Sequence, residues 1–550
     1  MTNPNGGKFL SPDKDMPDLE CQDKEKLAEL ELSSEGNDQP VSVGQPQVGS
    51  DGDIAIHRLG LEALDPSFRT EELLRSAGVD IPSAESHALD QQKKFQSPFA
   101  WPTWKKMVIL STPFLAGLLA AYSAGAYALA SEPLCEEWQI TSTEFNLGIT
   151  VYVVGFAIAP MILAPVSEAY GRYWVFIGAA VVFFLGTVGC AVTDSLAGMI
   201  VSRFFTGNGS SIFATLTGGV VSDIYHKEDR NTPMALYAAA IISGTGFGPL
   251  FSGIIVDRLG WQWIFYIQLI TIGSTGVAIL LLFQETRSNV VLKTKCDALN
   301  KLVGSRAAMK FQPQIAEQKL HISVIYRSFA FPLGLLTSEA VVFCFSLWVS
   351  FGWAILYMQF TSIGITFRDV YNFSSTQVGA VYTAVVAGGL IAATLAIVQD
   401  AVTRRIWPQR MATPEGRLIA PCIQSILLPV GLFWFGWTAR PDISWISPTL
   451  AIGSCTMGVF SIYLAVFNYL ADTYGRYASS AQAAQSMCRN LLAGIFPLFT
   501  HIMLRNLTYK GSGSLLGGIS LLLTVIPWLL SFYGQRIRAR SPLTKAVMEM

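Results

Sequence analysis

Leu163-Ala164-Pro165-Val166-Ser167-Glu168-Ala169-Tyr170-Gly171-Arg172-Tyr173 joins two long apolar runs and reads as a tight polar turn between them. Pro165 and Gly171 suit a sharp reversal. Glu168 and Arg172 are spaced to make a charge contact where two helices leave a membrane. The flanking runs, Phe145–Ala164 and Trp174–Val192, each offer about 20 residues, which as helix cover the roughly 30 Å hydrocarbon core of a bilayer. Helix is required there because lipid offers no partner to open backbone.

Working outward, ten further runs read the same way: Met107–Ala130, Leu196–Val221, Met234–Val256, Trp263–Phe283, Leu333–Phe360, Val378–Val398, Leu418–Trp437, Pro448–Leu470, Ala483–Ile502 and Leu515–Tyr533. The expected fold is an all-α membrane protein with twelve transmembrane helices in two six-helix halves. Composition agrees. The chain is 51% hydrophobic and 14% charged, against about 25% charged in soluble domains. The expected layout is a tail over 1–95, a first bundle over 96–284, a linker over 285–332, a second bundle over 333–535 and a basic tail over 536–550.

Charge is unevenly spread. Residues 1–95 hold 19 acidic and 9 basic residues, and the remainder carries a net charge of +9. The acidic part is rich in Pro, Ser, Gly and Glu and reads as a mostly disordered cytoplasmic tail, with transient helix at Leu59–Leu64 and Arg69–Leu74. The linker is basic, with Arg287, Lys293, Lys295, Lys301, Arg306, Lys310, Lys319 and Arg327. Lys105, Lys106, Arg172, that linker, Arg404, Arg405, Arg410, Arg417, Arg476, Arg536, Arg538, Arg540 and Lys545 all fall on one side of the expected spans. That side is the cytoplasm by the distribution of basic residues, and both termini lie there. The first opposite loop carries Glu132, Glu136, Glu137 and Glu144 without Lys or Arg. The sequons at Asn372 and Asn506 fall on the outer side as glycosylation candidates.

Eight cysteines show no metal-ligand spacing, and Cys190, Cys344, Cys422 and Cys455 read as packing residues inside apolar runs. The first 95 residues hold no cleavable signal. No phosphate loop, paired carboxylates or catalytic Ser/His pair stands out, so an enzyme is not expected.

The 163–173 turn resembles the cytoplasmic loop signature of the major facilitator superfamily, in the form seen in fungal drug:proton antiporters. Gly244-Thr245-Gly246-Phe247-Gly248-Pro249-Leu250-Phe251-Ser252-Gly253 resembles the antiporter motif of the same superfamily. Its glycines permit close helix packing and Pro249 can bend the helix. Arg203-Phe204-Phe205-Thr206-Gly207 with Gly218-Gly219-Val220-Val221-Ser222-Asp223, Gly260–Ile267, Asn468–Tyr474, Arg489 and Phe496-Pro497 are similar to further segments of the fungal subgroup. The likeness covers roughly Trp104 to Tyr533. Two departures are Tyr173, where a second basic residue is common, and Gln284-Glu285-Thr286-Arg287, where Pro-Glu-Thr-Tyr is common.

The resemblance implies a major facilitator fold and a secondary transporter that exports small amphiphilic organic compounds in exchange for protons. The cargo is a drug, a secondary metabolite or a polyamine. Import of a nutrient or organic acid and a non-transporting membrane sensor are the rival readings. Pro165, Glu168, Gly171, Arg172, Gly244, Gly248, Pro249 and Gly253 are the expected gating positions. Arg203, Asn208, Gln268, Glu339, Asn468 and Arg489 are substrate and coupling candidates, because polar groups inside apolar spans are costly and tend to be functional, and Trp348 and Tyr357 join them as aromatics of an organic-substrate pocket. Glu339 is the candidate proton carrier. Tyr122, Tyr127, Tyr152, Phe156, Phe351, Trp353, Tyr463 and Phe467 are candidates for an apolar pocket. The expected partners are a small organic substrate, protons and membrane lipids, around a monomer with no cofactor, metal or nucleic acid. The plasma membrane is the expected location, with the vacuolar membrane as the alternative.

Overall fold

The computed structural model describes residues 47–48, 55–65, 68–76, 95–226, 229–304, 309–314, 322–407, 413–474 and 478–539. Arg306, Lys319, Arg410, Arg476, Arg540 and Lys545 of the orientation argument lie outside them, as does most of the 1–95 tail. The chain divides into two units, Met1–Phe95 with Leu292–Gln318, and Gln96–Val291 with Lys319–Met550.

In chain order the elements are strands β1 (Gln47–Val48) and β2 (Ala55–Leu59) and helices α1 (Thr70–Ser76), α2 (Thr103–Ala126), α3 (Ser131–Trp138), α4 (Ser142–Tyr170), α5 (Arg172–Val192), α6 (Leu196–Ile224), α7 (Asn231–Leu259), α8 (Gln262–Leu282) and α9 (Ser288–Val303). Strand β3 (Met309–Pro313) follows, then helices α10 (Ile322–Ser338), α11 (Ala340–Tyr371), α12 (Ser375–Val381), α13 (Thr383–Ile406), α14 (Pro414–Ser425), α15 (Leu427–Thr438), α16 (Ile446–Tyr474) and α17 (Ala478–Arg538).

The smaller unit differs from the expected disordered tail and open linker. β2 pairs in parallel with β3, Ala55 opposite Met309 and Leu59 opposite Pro313, and β1 pairs antiparallel to β2. Lys295 Nζ donates to Ala63 O (2.7 Å) and sits over the Phe68 ring. Asn300 donates to Phe311 O and accepts from Phe311 N. Leu64, Leu299 and Phe311 are buried. The tail has few apolar residues, but the linker supplies partners for them, which composition alone cannot reveal.

Among the described residues ten helices are long and apolar enough to cross a membrane. α6 is as long as its neighbours at 29 residues, but it is outside that set because Arg203, Asn208 and its serines and glycines dilute its apolarity. The run Ser480–Arg538 counts once, yet Thr508 leaves helical geometry at φ 61°, ψ 170° and splits it into two arms.

Local chemistry sets the helix ends. Thr141 and Glu144 form a capping box at the start of α4. Ser195 caps α6, and Ser374 with Gln377 caps α12. Asn372, in left-handed geometry at φ 54°, ends α11. Two expectations shift here. The seventh span begins at Ala340 and runs to Tyr371 instead of Leu333–Phe360. Pro165 lies inside α4 and not in a turn, so Gly171 alone makes the reversal. The seven described cysteines are free thiols, with Cys190, Cys422 and Cys455 buried and Cys344 partly so.

Candidate functional site

At the end of the bundle marked by Gly171, charges pair within each half. Gly171 has φ +99° between α4 and α5, and a side chain there would run into the Glu285 carboxylate. That carboxylate accepts from the backbone N–H of Arg172 (3.0 Å), Tyr173 (3.1 Å), Thr286 (3.0 Å) and Arg287 (2.8 Å), an anion seated on the N-terminus of α5. Arg172, only 4% exposed, donates Nε to Asp223 Oδ2 at 3.1 Å and Nη1 to Ser167 Oγ at 2.7 Å. Arg287 Nη1 reaches the other Asp223 oxygen at 3.2 Å. The expected Glu168–Arg172 contact is therefore replaced by Arg172–Asp223. Glu168 is exposed, and Asp223 at the foot of α6 meets the buried guanidinium.

The second half repeats the pattern with other residues. Glu415 at the start of α14 pairs with Arg538 Nη2 at 2.5 Å and accepts from Tyr469 OH at 3.5 Å. Glu339 accepts from Tyr474 OH at 3.2 Å. Glu339 is buried but lies at the break between α10 and α11, so its expected place in the first third of the seventh span is corrected to a helix end.

At the opposite end, marked by Asn372, bonds join the halves. Asn146 Nδ2 donates to Pro497 O (2.8 Å), Thr150 Oγ1 to Gly494 O (2.7 Å) and Thr361 Oγ1 to Asn146 Oδ1 (3.3 Å). Thr376 N–H donates to Asp257 Oδ2 (2.7 Å), and Arg368 pairs with Glu132 at 3.1 Å. These hydrogen bonds and this ion pair between the two six-helix halves all fall toward this end. The glycine-rich stretch of α7 does two jobs here. A side chain on Gly244 or Gly248 would strike the α2 carbonyls of Leu118 or Tyr122 within the half, and one on Gly253 would strike Ser375 O across the halves. Pro249 lies against Gly125 of α2, and its carbonyl against Gly379. Asn372 and Asn506 are both exposed. Tyr509 near the second donates to Asp369 near the first, so the two sequons share this end.

Between the ends each half buries one arginine on two aromatic rings. Arg203, fully buried in α6, lies over Tyr127 (4.6 Å) and Tyr152 (4.3 Å). Its Nε donates to Gly148 O (3.3 Å) and Nη1 to Ser123 O (3.0 Å). Arg489, 6% exposed in α17, lies over Trp353 (4.5 Å) and Tyr463 (5.1 Å), with Nη2 donating to Ser486 Oγ at 3.3 Å. A desolvated cation–π contact contributes roughly 2 kcal/mol, which offsets part of the burial cost of each charge. Four of the expected pocket aromatics thus serve as seats for the two arginines. Tyr357, buried in α11, lies close enough to feel both guanidiniums and the Tyr152 hydroxyl.

The remaining candidates scatter. Asn208 bonds back to Phe204 O on its own helix, and Asn468 is exposed. Trp348 is buried beside Phe345. Gln268 is 1% exposed, and both its amide atoms lack a hydrogen-bond partner among the described residues. Sequence reasoning passed over Asp223, Glu285, Glu415 and Arg538 as functional groups. A carboxylate at a helix end with a basic residue at the matching end of a neighbouring helix was the available signal.

The Major Facilitator Superfamily model matches residues 113–497. The chain belongs to the major facilitator superfamily. It is 31% identical over 81% of its length to a citrinin biosynthesis cluster MFS transporter of Monascus ruber, covering 89% of that protein. It is 30% identical to an efflux pump of Gibberella moniliformis, over 80% of this chain and 74% of the pump. A probable drug/proton antiporter of Saccharomyces cerevisiae is 29% identical, over 80% of this chain and 86% of the antiporter. Among solved structures, the human organic anion transporter MFSD10 superposes with a TM-score of 0.55 at 18% identity, covering 78% of this chain and all of that one. The xylose transporter of E. coli in a partially occluded inward-open conformation gives 0.53 at 16% identity, covering 77% and 98%. At these identities the structures establish a shared fold.

Proposed function

We propose that the chain is a proton-coupled exporter of small amphiphilic organic compounds, drugs or secondary metabolites, working by alternating access. The single observation that carries this reading is the asymmetry of the two ends. Bonds between halves collect at the Asn372 end, while the buried ion pairs at the Gly171 end stay within a half. Such an arrangement lets two rigid halves part at one end while latched at the other, around a site between them. The relatives support export, since they are described as an efflux pump and as a probable drug/proton antiporter.

Twelve spans follow if α6 is counted and α17 is taken as two arms. The Gly171 end is cytoplasmic in this reading. Lys105, Lys106, Arg172, Arg287, Arg405, Arg536 and Arg538 gather there, and basic residues mark the inner side. Both termini lie inside, the membrane is the plasma membrane and the exporter acts as a monomer. The chain performs no enzymatic step. A proton entering down about 100 mV releases about 2.3 kcal/mol for each charge moved, and Glu339 is the proposed carrier at the inner end.

Proteoliposomes with a proton gradient directed as into a cell test this reading. The expected result is gradient-dependent transport of compounds in the opposite direction, abolished by a protonophore. Absence of coupled movement across a broad panel overturns it, and flux in the proton's direction replaces export by import.

A further inference from the structure

The two buried arginines have no anion of their own. In the described part of the helical unit every carboxylate lies within six residues of a helix terminus, and none pairs with Arg203 or Arg489. A guanidinium is always charged and offers five donors in a planar fork that matches a carboxylate. Arg203 uses two donor nitrogens on carbonyls and leaves Nη2 buried without a hydrogen-bond partner. Arg489 uses one on Ser486 and leaves Nε buried in the same condition. The rings of Tyr127, Tyr152, Trp353 and Tyr463 hold the guanidinium faces and leave the edges, where the donors are, for another group.

We propose that the exported compound is an organic anion whose carboxylate is taken by Arg489, with Arg203 supplying a second positive charge from the other half. Tyr357, buried in α11 within electrostatic reach of both guanidiniums, offers an aromatic wall for the apolar part of the molecule. This proposal rests on the exporter reading and names its substrate class. A cationic substrate meets two like charges here, and a neutral one leaves both uncompensated. Charge movement is also favourable, because an inside-negative membrane pushes an anion out as it draws a proton in. Arg489 is assigned the main contact because Arg203 also bridges two helices through Gly148 and Ser123, a structural duty that Arg489 lacks.

The test measures equilibrium binding by the purified full-length chain in nanodiscs. The probes are three ligands with one ring system: naphthalene-2-carboxylate, its carboxamide, and the corresponding trimethylammonium. The carboxylate is expected to bind at least about tenfold tighter than the amide, with the ammonium weakest. Arg489→Gln removes that preference with helical content retained, and Arg489→Lys restores part of it. Amide or ammonium binding equal to or better than carboxylate overturns the proposal. So does an undiminished preference in Arg489→Gln, or no saturable carboxylate binding. Flux through the same protein is read separately. Transport of the amide without carboxylate preference leaves export standing and defeats the anion assignment. Carboxylate preference without any flux defeats export and leaves the anion site.

Discussion

The two ends of the helical bundle are held together by different chemistry. At the Gly171 end, Arg172–Asp223 and Glu415–Arg538 are buried ion pairs, each within one half. At the Asn372 end, single hydrogen bonds and glycine-mediated contacts run between halves. Buried charge pairs are costly to break singly, whereas neutral hydrogen bonds such as Asn146–Pro497 contribute about 0.5–1.5 kcal/mol each and the one to the Asp257 carboxylate about 1.5–3 kcal/mol. The first chemistry suits parts that stay rigid, and the second suits a seal that forms and parts. On the proposed alternating-access mechanism, the surface that moves lies between α4 and α17 and between α7 and α12, and the Gly171 clusters brace the bodies on either side.

Four substitutions probe this contrast, beginning with the largest effect. Asp223→Ala strands the buried Arg172 and should cost about 3–5 kcal/mol, seen as a large fall in thermal stability in detergent. A change comparable to a surface mutation would mean that the cluster is no brace. Gly253→Leu drives a side chain into Ser375 across the halves only in the latched state. Overpacking of about 1–3 kcal/mol should lower the latched population by roughly 5- to 150-fold and cut flux accordingly, with folding retained. Wild-type flux would remove this contact from the seal. Glu339→Gln keeps the shape at Tyr474 and removes the charge, so flux should lose its dependence on the proton gradient while binding persists. Unchanged dependence would reassign the carrier. Arg368→Ala breaks a cross-half pair whose partner Glu132 is 54% exposed, so its effect on the open–latched balance should stay below about 1 kcal/mol. A larger shift in spin-label distance populations would raise the weight of charge in the seal.

Much of the fold was legible because apolar runs of bilayer length admit only helix, and because the 163–173 turn and the 244–253 stretch carry glycines at steric necessities. Gly171, expected as a turn position, has φ +99°, and a side chain on Gly253, expected as a close-packing glycine, would strike Ser375 O. The partners were less legible. Arg172 has a carboxylate four residues away in sequence, yet it pairs with Asp223, fifty-one residues on, because Glu168 points out while α6 ends beside α5. Glu339 looked intramembrane because the apolar run continues through it. A helix break puts it at an end, where Tyr474, 135 residues on, donates to its carboxylate, a long-range contact the local sequence does not announce. Aromatics on spans were read as a pocket, and only three-dimensional placement shows four of them under the two arginines. The pairing of β2 with β3 joins segments some 250 residues apart, so local propensity gave no sign of it.

The most direct test of alternating ends is a pair of spin-label distances measured across both. Labels at Glu168 and Arg405, exposed in opposite halves at the Gly171 end, report that opening. Labels at Asp194 and Asp442, exposed at the other end, report the seal. When substrate and pH are varied, the account predicts opposite changes: the Asp194–Asp442 distance lengthens as the Glu168–Arg405 distance shortens. Distances that lengthen together, or one pair that never moves while flux proceeds, would contradict it.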